Sequence, residues 1–173
     1  KHIRLEGLTI RNANYNGTGI LGEHVEQVTL KNNRIYNVGG HGIQLTGWTK
    51  TNRIEGNEVR DTGQNGISIH GRLDTANHIS TGNEVRDNHV FRIGSFNANS
   101  GGIRLYHSGE NVIAHNRVHD VPRHAIHLMA QKKSYFLGTT IDGVLITENN
   151  YRNYQHTRNN IVEFNDVSHA VTD

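Results

Sequence analysis

An all-β solenoid, a right-handed parallel β-helix of about six turns with two loop insertions, is what this sequence predicts, on three observations. A four-residue unit recurs, small–apolar–variable–apolar, as Gly42-Ile43-Gln44-Leu45, Gly66-Ile67-Ser68-Ile69, Gly102-Ile103-Arg104-Leu105 and Ala125-Ile126-His127-Leu128, with a weaker first copy at Gly19-Ile20-Leu21. A second unit, apolar-x-x-Asn-x-apolar, keeps step with it at Leu30–Ile35, Ile54–Val59, Ile113–Val118 and Val162–Val167, and in part at Asn83-x-Val85. The spacing of both, 24 residues from Asn33 to Asn57 and from Gly42 to Gly66, is that of one solenoid turn.

Each unit is short and alternates with period two, which is a strand with one buried face. Ile and Val dominate the apolar positions, Gly and Asn punctuate them, and no 3.6-residue stripe appears; a leucine-rich repeat with a helical half is therefore disfavoured. The Asn column suits residues that tolerate left-handed backbone and bond neighbouring peptides, and stacked from turn to turn it makes an amide ladder. The longer gaps, 33 residues from Asn83 to Asn116 and 49 from Asn116 to Asn165, place insertions at about 86–101 and 130–159.

The 173 residues suffice for a single domain, read here as 1–173. The strand pattern is already running at Ile3 and Leu5 and is interrupted after Asp173, so the chain is expected to be part of a longer protein with unfinished solenoid ends. The absence of Cys leaves no disulfide frame and no thiolate chemistry. A formal charge of +2, with scattered basic residues and few aromatics, gives no nucleic-acid footprint. No run approaches the length of a membrane span, and no signal peptide is visible.

The segment Asn111–Leu128 resembles the repeat of the right-handed β-helix carbohydrate-active enzymes, the polysaccharide lyases and β-helical glycoside hydrolases, and Asn160–His169 resembles a later turn of them. The resemblance implies a polysaccharide or oligosaccharide substrate, acidic in the lyases, and a secreted, periplasmic or cell-surface location. Non-catalytic glycan-binding or structural β-helices, adhesins and tailspikes, share the same repeat, so that alternative stays open.

Successive turns lie about 4.8 Å apart, so outward residues at one column position touch. Gln44, Ser68, Arg104 and His127 form one such column, and His70 and Tyr106 stand two residues further along, followed by His107. These are the parts for β-elimination on an acidic sugar: Arg104 to neutralise a uronate carboxylate, and Tyr106 or His127 to move the proton. Gln44, Ser68, His70 and His107, with Lys132 and Tyr135 from the second insertion, are the expected substrate-binding residues. Hydrolysis would need two facing carboxyl groups; the candidates are Glu110 just beyond the strand, Asp142 in the second insertion and Asp173, which resembles the start of a later segment of the β-helical hydrolases. Asp61, Asp87 and Asp120 follow Asn57, Asn83 and Asn116 by four residues and read as turn formers. No metal-ligand spacing is present and no cofactor is expected; a calcium held by Asp and Asn side chains of the insertions stays open, without a motif to support it.

Overall fold

The computed structural model describes residues 1–73 and 79–170. Three parallel sheets run the length of the molecule. The first stacks Arg4–Glu6, Thr29–Lys31, Arg53–Glu55, Glu84–Arg86, Val112–Ala114 and Ile161–Glu163. The second stacks Thr9–Ala13, Arg34–Val38, Glu58–Thr62, His89–Phe91, Arg117–Val121 and Asp166–Ala170. The third, which holds the small–apolar–variable–apolar units, stacks Ile20–Glu23, Ile43–Gly47, Ile67–Gly71, Gly101–Tyr106 and His124–Met129. The chain visits the sheets in rotation, so each strand pairs with its counterpart one turn away and the architecture is a parallel β-helix.

The core is a set of stacked files. Ile20, Ile43, Ile67, Ile103 and Ile126 are register partners along the third sheet. Ile43, Ile67 and Ile103 are fully buried, as are Ile35, Val59, Val90 and Val118 from the second sheet and Ile54, Val85 and Ile113 from the first. Ile126 is only partly buried and Leu128 is exposed, because His124–Met129 is the outermost strand of its sheet among the described residues. The small residue ahead of each file is a packing requirement. A Cβ on Gly66 would lie 2.3 Å from Val90 Cγ1 and 2.7 Å from the Gly102 carbonyl oxygen, and Gly19, Gly42 and Gly102 are confined in the same way.

Two amide ladders, not one, run through the turns. Asn33, Asn57, Asn88, Asn116 and Asn165 form one, each side-chain amide donating to the next side-chain oxygen at 2.9 Å. Asn52, Asn83, Asn111 and Asn160 form the other. This corrects the column read from the sequence: Asn83 belongs to the second ladder, and the partner of Asn57 is Asn88. The physical reason is that the turns from Asn52 onward carry Asn-x-apolar twice, five residues apart, as in Asn83-Glu84-Val85 and Asn88-His89-Val90. Local pattern cannot separate two identical units; only the interstrand register can.

The correction moves the extra chain length. Arg86 and His89–Phe91 continue regular strands, so the segment expected at 86–101 is not one insertion. The additional residues fall between Gly71 and Ser80 and between Ile93 and Gly101. The turn positions also sort by ladder. Asn32, Gly56, Asp87, His115 and Phe164 precede the first ladder's Asn, and Asn37, Asp61, Arg92, Asp120 and His169 follow it by four residues; all ten adopt positive φ. Asp61 and Asp120 are turn formers, Asp87 is one in the other column, and Arg92 takes the place expected for Asp87, reaching back to Asp61 at 2.7 Å.

Residues 130–160 leave the solenoid between Met129 and Ile161. They contain two short 3-10 helices, Lys133–Tyr135 and Tyr151–Tyr154, and an antiparallel pair, Thr140–Ile141 with Val144–Leu145. Phe136, Ile141, Ile146 and Tyr154 give this segment its own small core, against which Leu73 and Tyr151 pack. No helix among the described residues is long and apolar enough to cross a membrane.

Candidate active site

The outward face of the third sheet carries a polar groove. Register places Gln44 beside Ser68, Ser68 beside Arg104 and Arg104 beside His127; Thr46, His70, Tyr106 and Met129 make the parallel column. A cavity of about 320 Å³ opens over the centre of this face, lined by Gln44, Ser68, His70, Arg104, Tyr106 and Met129 on the sheet side. Its wall is the turn between the second and third sheets, which contributes His41, Gln64, Asn65 and Asn97. A second, more open depression of about 430 Å³ continues past His70 toward Glu23, His24 and Arg72.

Arg104 is the electrostatic centre. Among the described residues no acidic side chain pairs with it, and its guanidinium hydrogen bond is to the Met129 sulfur, at 3.5 Å. Arg53, Arg60, Arg86 and Arg92, by contrast, each hold a carboxylate. A partly buried cation left without a counter-ion in a groove is a receptor for an anion.

The histidines around it are held neutral. Burial, reinforced by Arg104 and His70, lowers His41 to about 4; burial and Arg104 lower His70. Asn65 fixes the His41 tautomer. Its Oδ1 accepts the Gly101 backbone N–H at 2.8 Å, so its amide nitrogen faces His41 Nδ1 at 3.1 Å and donates to it. Nδ1 is then the acceptor and Nε2 carries the proton. Burial raises the Tyr106 phenol, which remains protonated and donates to Gln131 Oε1 at 2.8 Å. The His70 ring meets Tyr106 edge-on with centroids 4.6 Å apart.

The remaining residues expected from the sequence are placed differently. His127 is beside Arg104 in register, but its ring packs on His124 with centroids 4.4 Å apart, its Nδ1 is buried, and it does not line the cavity. His107 is wholly buried rather than at the groove: positive φ turns it inward, between Tyr106 and Phe136, with neither ring nitrogen hydrogen-bonded. Lys132 is exposed, and Tyr135 lines a separate apolar pocket of about 240 Å³ with Leu73, Phe136 and Ile141. Asp173 lies outside the described residues. His41 escaped the sequence reading because it precedes the repeated unit; its only signal was a polar residue abutting the Gly42 strand start.

Among the described residues no three His, Asp or Glu side chains converge as metal ligands. Among the described residues the cavity lining contains no carboxylate, and the adjoining depression contributes Glu23.

The burial of His107 has a pH consequence. Burial lowers it to about 4, so the unfolded chain binds a proton that the folded one refuses between that value and about 6.5. Stability is therefore highest above pH 6.5 and falls as pH drops toward 4, by about 3 kcal/mol for this one group. Urea unfolding from pH 7 to 4.5 should show the decline, and His107→Phe should make it shallower while leaving the part due to His41, which burial also lowers to about 4; an unchanged slope would rule His107 out as a contributor.

Stacked parallel strands with internal Asn ladders and a polar cavity on the outward face of the third sheet define a parallel β-helix protein. A family model described as a right handed beta helix region matches residues 18–172, and the chain belongs to that family. Among solved structures it is similar to the A-module of mannuronan C-5 epimerase AlgE4 from Azotobacter vinelandii, with a TM-score of 0.47 and 17% identity over 95% of this chain and 54% of that one. The chain thus spans about half the length of that structure. No curated protein matches it in sequence.

Proposed function

We propose that the groove binds an anionic polysaccharide and cleaves it by β-elimination, as a polysaccharide lyase acting on uronate residues. The observation that carries this reading is Arg104, without a carboxylate partner among the described residues, beside neutral proton-transfer groups in a cavity whose described lining holds no carboxylate. Two-carboxylate hydrolysis finds no support in that lining.

In this reading Arg104 binds the uronate carboxylate, with the His41 Nε2–H as a second donor, and draws off the charge that accumulates when the neighbouring carbon loses its proton. Neutral His70 accepts the C5 proton. The Tyr106 hydroxyl exchanges Gln131 for the glycosidic oxygen and protonates it as the C4–O bond breaks and the C4–C5 double bond forms. The proton on His70 returns to the tyrosinate, whose ring is adjacent, and the site is restored. The sequence assigned the base to Tyr106 or His127; the groove favours His70 for that role and leaves Tyr106 as the acid.

Incubating the protein with polygalacturonate, alginate and hyaluronan should release oligosaccharides whose new double bond absorbs in the far ultraviolet. New reducing ends without that absorption would replace elimination by hydrolysis. Binding without any cleavage would favour the non-catalytic glycan-binding alternative.

A further inference from the structure

The wall of the groove ends in an aromatic pair that neither the core nor the proposed chemistry uses. Tyr15 and Phe96 are 67% and 61% exposed, yet their rings lie against each other with centroids 5.2 Å apart and an interplanar angle of 41°. They come from the same wall, three turns apart, since Tyr15 follows the second-sheet strand Thr9–Ala13 and Phe96 follows His89–Phe91.

The backbone is shaped to hold them. The Phe96 N–H donates to the Gly63 carbonyl at 3.0 Å, and a Cβ on Gly63 would stand 2.5 Å from the Phe96 ring. A Cβ on Gly39 would stand 2.3 Å from the Tyr15 carbonyl oxygen. The absence of a side chain at Gly63 thus lets the Phe96 ring lie on the preceding turn, and its absence at Gly39 lets the next turn close on the Tyr15 backbone. The chain neighbours of this contact, Gln64 after Gly63 and Asn97 after Phe96, both line the Arg104 cavity. The platform is continuous with the groove.

We propose that Tyr15 and Phe96 form a stacking subsite for a pyranose ring of the same polysaccharide, remote from the uronate held at Arg104. The inference rests on the polyuronate reading of the groove. A sugar ring offers an apolar C–H face to an aromatic surface and hydroxyls at its rim, and the amides of Gln64 and Asn97 stand where such hydroxyls need partners. The platform bears no charge, so it selects for chain length while Arg104 selects for the carboxylate.

The test is calorimetric titration of the full chain with the dimers and octamers of galacturonate, mannuronate and glucuronate. For the uronate that binds, the double variant Tyr15→Ala/Phe96→Ala should weaken the octamer at least tenfold and leave the dimer unchanged. Phe96→Trp, which retains a stacking face, should keep octamer affinity within about twofold of the parent. Equal weakening of dimer and octamer, or octamer binding unchanged in the double variant, overturns the platform. If Arg104→Ala abolishes binding of both lengths while the double variant alters neither, the groove reading stands and the platform alone falls. If the parent binds no octamer, the groove reading falls and takes the platform with it.

Discussion

Arg104→Ala should lower the rate of polyuronate cleavage by at least two orders of magnitude while leaving the unfolding midpoint nearly unchanged. The magnitude follows from removing a preorganised charge stabiliser in a partly dehydrated site, which commonly costs about 100- to 1,000-fold. The unchanged stability follows from the structure: among the described residues Arg104 makes no ion pair, and its side-chain hydrogen bond is the weak one to the Met129 sulfur. Arg104→Lys should recover only part of the rate, because an ammonium lacks the planar fork that meets a carboxylate with two parallel bonds. His70→Ala should be similarly slow but with a different signature, since loss of a base removes the acidic limb of the pH–rate profile. Initial rates across pH for the three variants check these statements together. Full turnover in Arg104→Ala would remove the groove from the chemistry.

Asn57→Leu should be the most damaging substitution to stability, costing about 4 kcal/mol or more, enough to unfold a domain of ordinary stability. Leucine repeats the branched four-atom side chain of asparagine with bulkier methyl groups and carries no polar atom. It would strand several groups at once. The Asn33 backbone N–H and side-chain amide both donate to Asn57 Oδ1, at 3.0 and 2.9 Å, and the Asn57 amide donates to the Leu30 carbonyl and to Asn88 Oδ1, each at 2.9 Å. All of these are buried or partly buried, and each unsatisfied buried polar group costs about 1–3 kcal/mol. Asn57→Asp keeps the acceptor and loses the donor, so it should cost less at low pH, where the carboxyl is protonated and can donate again. Denaturant unfolding at pH 7 and at pH 4 separates the two variants. A loss below about 1 kcal/mol for Asn57→Leu would mean that the ladder is incidental to the fold.

The division between sequence and structure in this protein is sharp. The period-two units around Ile43, Ile67, Ile103 and Ile126, and their spacing, determined the parallel solenoid, because a repeat that short can bury its apolar side only by stacking on its copies. The same logic put Ser68, Arg104 and His127 on adjacent turns and Tyr106 beside His70, since register in a parallel sheet is set by the buried files. What the sequence left open was everything that depends on choosing between identical local signals or on where a side chain turns at a strand end. Asn83 and Asn88 read alike, and only the register of Val85 and Val90 with their neighbours assigns each to its ladder. His107 and His127 occupy legible positions, yet one turns into the core through a left-handed backbone and the other packs on His124. His41 enters the site from a turn whose path no period describes, carried there by its contact with Asn65 and the bond from Asn65 to Gly101. Strand order follows from apolar periodicity, which is written along the chain; the wall of the groove follows from contacts between turns, and those exist only once the turns have stacked.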